Sequence, residues 1–219
     1  MDNNISYIQP FSIPMVQVKI DEDTSELKSY DQVKMFALKN QEKAERISNS
    51  YNRHNDKNWN DKFRILEKYP TTKNLLTQYV NKILGEGIGY DANFAISTSW
   101  MTLTSKGFKS QMHSHKNSFW SGVYYFDDNY SDQCGNLELR NPINGLSSFQ
   151  VEFKKLDSST NPFICVVPIP KCLILFPSYI YHGIQTNHDA NDRYSLAFNI
   201  VPIGYCGEAD ASYNTNWFN

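Results

Sequence analysis

Three histidines in the second half of this 219-residue chain have the types and spacing for metal chemistry: His113 and His115, written HxH, and His182 far downstream. In an extended strand, residues two apart point to the same face, so His113 and His115 can aim at one ion. His182 follows the apolar run LILFPSYIY and can close the site from a neighbouring strand. Imidazole nitrogen suits iron, zinc, copper and nickel alike, so the histidines do not choose the metal. HxH by itself equally describes strand-end histidines satisfied by water or backbone. His54 and His188 sit in polar, loop-like sequence and read as surface residues.

A second group lies in RYSLAFNIV. Strand alternation sets Arg193, Ser195, Ala197 and Asn199 on one face, with Tyr194, Leu196, Phe198 and Ile200 on the other. A guanidinium beside a hydroxyl can hold a carboxylate, one offering a bidentate fork and the other a further donor. The plain alternative is a strand-end Arg covering a sheet edge. Asn199 reads as a strand residue bonded to backbone. Trp100, Phe119, Trp120 and Tyr124 read as core in preference to pocket lining, and Pro177 as shaping the approach to His182.

The elements that must position these groups are legible from Gly89 onward, where short β-branched and aromatic runs alternate with turn residues. The candidate strands are Phe94–Leu103, Phe119–Phe126, Gly135–Leu139, Phe149–Phe153, Ile164–Val167, Leu173–Phe176 and Tyr194–Val201. Before them, Leu75, Leu76, Tyr79, Val80, Ile83 and Leu84 make one apolar helix face after Pro70, with Thr71 or Thr72 as N-cap and Gly85 as stop. Residues from Asp21 to Asn60 are polar and support at best a surface helix and loops. The reading is α+β: a jelly-roll core at 90–205 with a mostly helical and loop flank at 1–89, in one domain over 1–219.

Composition narrows the function classes. Lys plus Arg, 21, nearly balances Asp plus Glu, 23, so no broad positive field invites nucleic acid. No stretch approaches the ~18 apolar residues that a membrane span needs, and the first residues lack a basic-then-apolar leader. Cys134, Cys165, Cys172 and Cys206 form no CxxC pair and read as reduced and buried, which fits a cytoplasmic protein.

The stretches HSHKNSFWSGVYYF, LILFPSYIYHGI and RYSLAFN resemble, in order and separation, the 2-oxoglutarate/Fe(II)-dependent oxygenase superfamily. Within it they are similar to small oxygenases of marine bacteria and their phages. The likeness covers about Trp100 to Pro202 and, more weakly, the opening IQPFSIPMVQV. The core also resembles prolyl hydroxylases, through YYF, the late His and the Arg after it.

This resemblance implies a double-stranded β-helix and a dioxygenase using Fe(II), 2-oxoglutarate and O₂. It would hydroxylate a peptidyl side chain or a small metabolite, in the cytoplasm of a bacterium or a phage-infected host cell. His113 and His182 would ligate iron, while Tyr125, Arg193 and Ser195 would hold the far carboxylate of 2-oxoglutarate.

The superfamily usually shows HxD or HxE, whereas this chain has His115 at the second position. Either His115 ligates, or an acid such as Asp127 or water takes the third place. His115 is favoured, since HxH on one strand needs no backbone rearrangement. A neutral third ligand would leave Fe(II) its full charge and strengthen binding of a dianion. Three rivals come from other classes. A cupin metalloenzyme shares Gly107 and HxH but lacks the next Glu and has Tyr179 where Gly is usual; a jelly-roll binding module would have lost turnover; a zinc hydrolase would need a general base that no motif supplies.

Overall fold

The two longest alternating runs of the chain become strands β3 (Asn93–Thr104) and β9 (Arg193–Ile203), which pair antiparallel from Asn93↔Ile203 to Thr104↔Arg193. The computed structural model describes residues 12–24, 27, 37–39, 63–142 and 161–215. A six-stranded sheet builds around that pair. In order across it stand β1 (Val16–Lys19), β7 (Cys172–Pro177), β4 (Trp120–Tyr125), β9, β3 and β2 (Ala37–Lys39). β2 runs parallel to β3, and the other pairings in the sheet are antiparallel. A smaller antiparallel sheet has the order β6 (Phe163–Val166), β5 (Leu137–Arg140), β8 (His182–Ile184). A short ribbon, β10 (Tyr205–Cys206) with β11 (Tyr213–Asn214), follows β9.

Side-chain alternation divides the large sheet into two chemically different faces. Trp120 and Tyr124 of β4, Leu173 and Leu175 of β7, and Tyr194, Leu196, Phe198 and Ile200 of β9 join one core. Helix α1 (Pro70–Asn81) covers that core with Leu76 and Val80, while Leu75 and Tyr79 are half-buried. Val123, Tyr125, Cys172, Ile174 and Phe176 point the other way and meet Leu137, Leu139 and Val166 of the small sheet in a second cluster. β7, CLILFP, is apolar and buried at every position because it is covered on both sides.

Two local features set the geometry of the site. The β3–β9 register shifts between Ile96 and Thr98, so Ser97 is an extra residue, a β-bulge. Phe94 and Ile96 face the helix before the bulge, and Met101 and Leu103 do so after it. The bulge therefore turns Thr98, Trp100, Thr102 and Thr104 towards the small sheet. In β4, Gly122 lies opposite Phe198, and a Cβ there would sit 2.3 Å from the phenyl ring, so the position has no room for a side chain.

Several sequence expectations need correction. α1 begins with Pro70 at its first position and Tyr69 as N-cap; Thr72 lies buried within its first turn. It is not stopped by Gly85. The chain continues as a π-helical segment, Lys82–Ile88, until Gly89 takes the left-handed conformation (φ 95°) that lets a helix end. Among the described residues the flank at 1–89 also contributes two short strands, β1 and β2, at opposite edges of the large sheet. Their runs of four and three residues are too short for alternation to reveal. Of the cysteines, all free, Cys134 and Cys172 are buried, whereas Cys206 is half-buried and Cys165 exposed. Phe149–Phe153, His54 and most of Asp21–Asn60 lie outside the described residues. No helix among the described residues is long and apolar enough to cross a membrane.

Candidate metal centre and acid anchor

The structure brings His113, His115 and His182 together, with their nearest donor atoms all within 4.8 Å of one another. His113 and His182 come from adjacent chain segments that exchange backbone hydrogen bonds, His113 N–H to the His182 carbonyl at 2.9 Å and the reverse at 2.8 Å. This bridge extends the small sheet beyond β8. His115 is not in a regular strand; its N–H donates to the Ser178 carbonyl at 3.0 Å, and its ring leans over the large sheet.

Each ring has an oxygen acceptor at Nδ1: the Gln111 carbonyl for His113 (2.8 Å), the Ile180 carbonyl for His182 (2.9 Å) and the Asn199 side-chain oxygen for His115 (2.6 Å). A carbonyl oxygen can only accept, so each Nδ1 carries the proton and each Nε2 keeps a lone pair. Burial holds the two less exposed rings in this neutral form, with the neighbouring His113 acting in the same direction. His115 is pushed down from the ordinary 6.5 to about 4 and His182 to about 3. Three imidazoles converging on one point suit a first-row divalent ion such as iron.

The second group lies along the same face of the large sheet. Arg193 is almost wholly buried; its guanidinium donates to the Tyr125 hydroxyl at 3.0 Å and to the Ser195 hydroxyl at 3.3 Å, and stacks 5.1 Å from the Tyr125 ring centre. Its Nε has no hydrogen-bond partner, and no ion pair among the described residues involves it. A buried cation without an anion is costly, and an orphaned donor adds to that cost. An entering carboxylate would relieve both, so these residues fit 2-oxoglutarate as well. Thr102 bonds Ser195 from β3, which fixes the hydroxyl beside the guanidinium. Between this end of β9 and Asn199 stands the small Ala197.

Residues 98–199, which contain both groups, match the family model described as "Putative 2OG-Fe(II) oxygenase". Over this segment the chain is similar to the 2OG-Fe(II) oxygenases. No curated protein matches the chain. Among solved structures, the chain is similar to a 2OG-Fe(II) oxygenase family oxidoreductase from Burkholderia pseudomallei, at 17% identity and TM-score 0.42, covering 55% of this chain and 50% of that one. It is similar also to a Pseudomonas putida prolyl-4-hydroxylase (15%, TM-score 0.39, covering 56% and 61%). A third is a Trichoplax adhaerens prolyl hydroxylase bound to a peptide fragment of hypoxia inducible factor (19%, TM-score 0.40, covering 57% and 54%). The chain thus spans half to three-fifths of the length of these structures.

The matched segment also holds residues to which sequence reading gave other places. Asn199 bonds the His115 ring rather than backbone, and Trp100 stands edge-on to that ring at 5.4 Å between centres instead of joining the core. Trp120 and Tyr124 are core, while Phe119 stacks on Phe94 at the surface. Asp127, held open as a third ligand, instead accepts from the Asn129 backbone and side chain in the turn after β4; the convergent group contains His115 in its place. A same-face rule along β9 would have flagged Asn199 as a site residue. Trp100 was hidden by the bulge, which local pattern does not announce.

Proposed function

We propose that this chain is an Fe(II)- and 2-oxoglutarate-dependent dioxygenase that hydroxylates a peptidyl side chain or a small metabolite. The observation that carries the proposal is the set of three imidazoles whose Nδ1 protons are all engaged by oxygen acceptors, with the Nε2 lone pairs left to one metal. His113, His115 and His182 are the metal ligands in this reading. Arg193, Tyr125 and Ser195 hold the far carboxylate of 2-oxoglutarate, the guanidinium as the buried counter-charge and the two hydroxyls as its positioners. We read the large sheet and the small antiparallel sheet as the halves of a double-stranded β-helix over 90–205, in a single domain with 1–89 as its flank. The free thiols and the ferrous ion both favour the reducing cytoplasm.

When bound, Fe(II) and 2-oxoglutarate together supply the activation of O₂, with 2-oxoglutarate leaving as succinate and CO₂ and one oxygen atom going to the substrate. The protein supplies a rigid three-point seat for the metal, an anchor that sets the direction of the co-substrate, and an aromatic wall at Trp100 and Phe176 that keeps water from the His115 and His182 rings. Neither the seat nor the anchor uses a residue that must change protonation.

Anaerobic addition of Fe(II) and 2-oxoglutarate tests the assignment through the visible charge-transfer band of the chelate. The band is expected in the wild type, lost in His182→Ala and weakened in Arg193→Ala. Iron binding without a band would move the function to a metalloenzyme that does not use 2-oxoglutarate. No metal binding would leave a β-sandwich binding module.

A further inference from the structure

A carboxylate in the place of His115 would need no help to be a metal donor, but an imidazole must present the right nitrogen. Asn199 lies between Ser121 of β4 and Thr98 of β3 in the hydrogen-bonded register of the large sheet. Its Oδ1 accepts from His115 Nδ1 at 2.6 Å and from the Ser121 hydroxyl at 3.4 Å, while its Nδ2 donates to Thr98 Oγ1 at 2.9 Å. Ser121 also reaches His115 Nδ1, at 3.0 Å, but a hydroxyl can donate or accept and so cannot choose the tautomer. An amide can choose it, because its two ends differ, and here the oxygen end faces the ring.

We propose that Asn199, seated between Thr98 and Ser121, is a positioning device that fixes the tautomer of His115 and so makes it the third metal donor. The bulge at Ser97 is the structural origin of the device. Without the extra residue Thr98 would face the helix, in phase with Phe94 and Ile96; with it, Thr98 is brought beside Asn199 on the site face. The hydroxyl takes the amide N–H, the amide oxygen is left facing the ring, and Nε2 keeps its lone pair. Were the amide reversed, Nδ2 would face His115 Nδ1, the ring proton would move to Nε2, and the donor would be blocked. This inference rests on the proposed three-histidine seat and adds the residues that position it.

The probe is Co(II), bound anaerobically, with its dissociation constant measured by competition against a chromophoric chelator and its d–d absorption recorded. Asn199→Leu removes the acceptor at similar volume, whereas Asn199→Asp keeps it. Outer partners of metal-bound histidine typically influence affinity 10- to 100-fold. Asn199→Leu is expected to weaken Co(II) binding by about that factor and to alter the d–d band, whereas Asn199→Asp retains tight binding. Melting of the metal-free variants gives their fold stability separately. Wild-type affinity and spectrum in Asn199→Leu, or equal losses in Asn199→Leu and Asn199→Asp, would overturn the device, since a role in shape alone does not separate acceptor from non-acceptor. Failure of the wild type to bind Co(II), or tight binding by His182→Ala, would overturn the metal seat itself.

Discussion

His182 and His115 are held neutral by burial, and this ties the stability of the metal-free protein to pH. Both titrate lower in the folded chain, at about 3 and about 4, than the ordinary 6.5 of an exposed imidazole. Below 6.5 the unfolded chain takes up protons that the folded chain refuses, so the unfolded state gains. Stability contributed by these groups is complete above pH 6.5 and is lost as pH falls towards 4 and then 3. Thermal unfolding of the metal-free protein should therefore shift to lower temperature between pH 7 and pH 4.5, and His182→Gln should flatten that slope. A slope identical in the variant would mean that other groups govern it. Arg193 poses the opposite problem, a cation that burial does not neutralise, and its partners Tyr125 and Ser195 are both uncharged. That asymmetry makes the anchor a stronger indication of an anionic ligand than a paired arginine would be.

Strand β4 carries two demands on alternating residues: Trp120 and Tyr124 fill the helix-side core, while Ser121 and Tyr125 serve the site. Gly122 is the point where they collide with β9, because Phe198 occupies the space of its side chain. Gly122→Ala should lower the urea midpoint by the equivalent of about 1–3 kcal/mol, the usual cost of overpacking. Phe198→Leu should recover part of that loss, so the double variant is less destabilised than the sum of the singles. Full additivity would place the strain elsewhere. The bulge in β3 is the complementary device, changing which face a strand serves instead of crowding it. Both depend on partners about 75 to 100 residues away in sequence, which is why neither was visible in the local pattern.

In the whole molecule, the proposed metal seat joins the two sheets. His113 and His182 continue the small sheet, while His115 is tied to the large one through Asn199 and Ser121. A bound ion would therefore cross-link the layers, and any ligand that binds only the folded state stabilises it by mass action. At a free Co(II) concentration 100 times its dissociation constant, the expected gain is about 2.7 kcal/mol, absent in His182→Ala. An equal gain in that variant would mean that the ion binds elsewhere. The sequence by itself determined the longer strands β3, β4, β7 and β9, the three histidines, and the face of β9 that carries Arg193 and Ser195, because alternation and residue chemistry are local properties; the short β1, β2 and β8 it left unmarked. It also pointed to the oxygenase superfamily, through three motifs in a fixed order. Tertiary structure alone decided that His113 and His182 pair across a bridge, that Asp127 is spent on a turn, that Thr98 and Trp100 face the site, and that Asn199 holds His115. Those depend on register between distant strands, and one extra residue in a strand reverses every face assignment after it without leaving a mark in its own sequence.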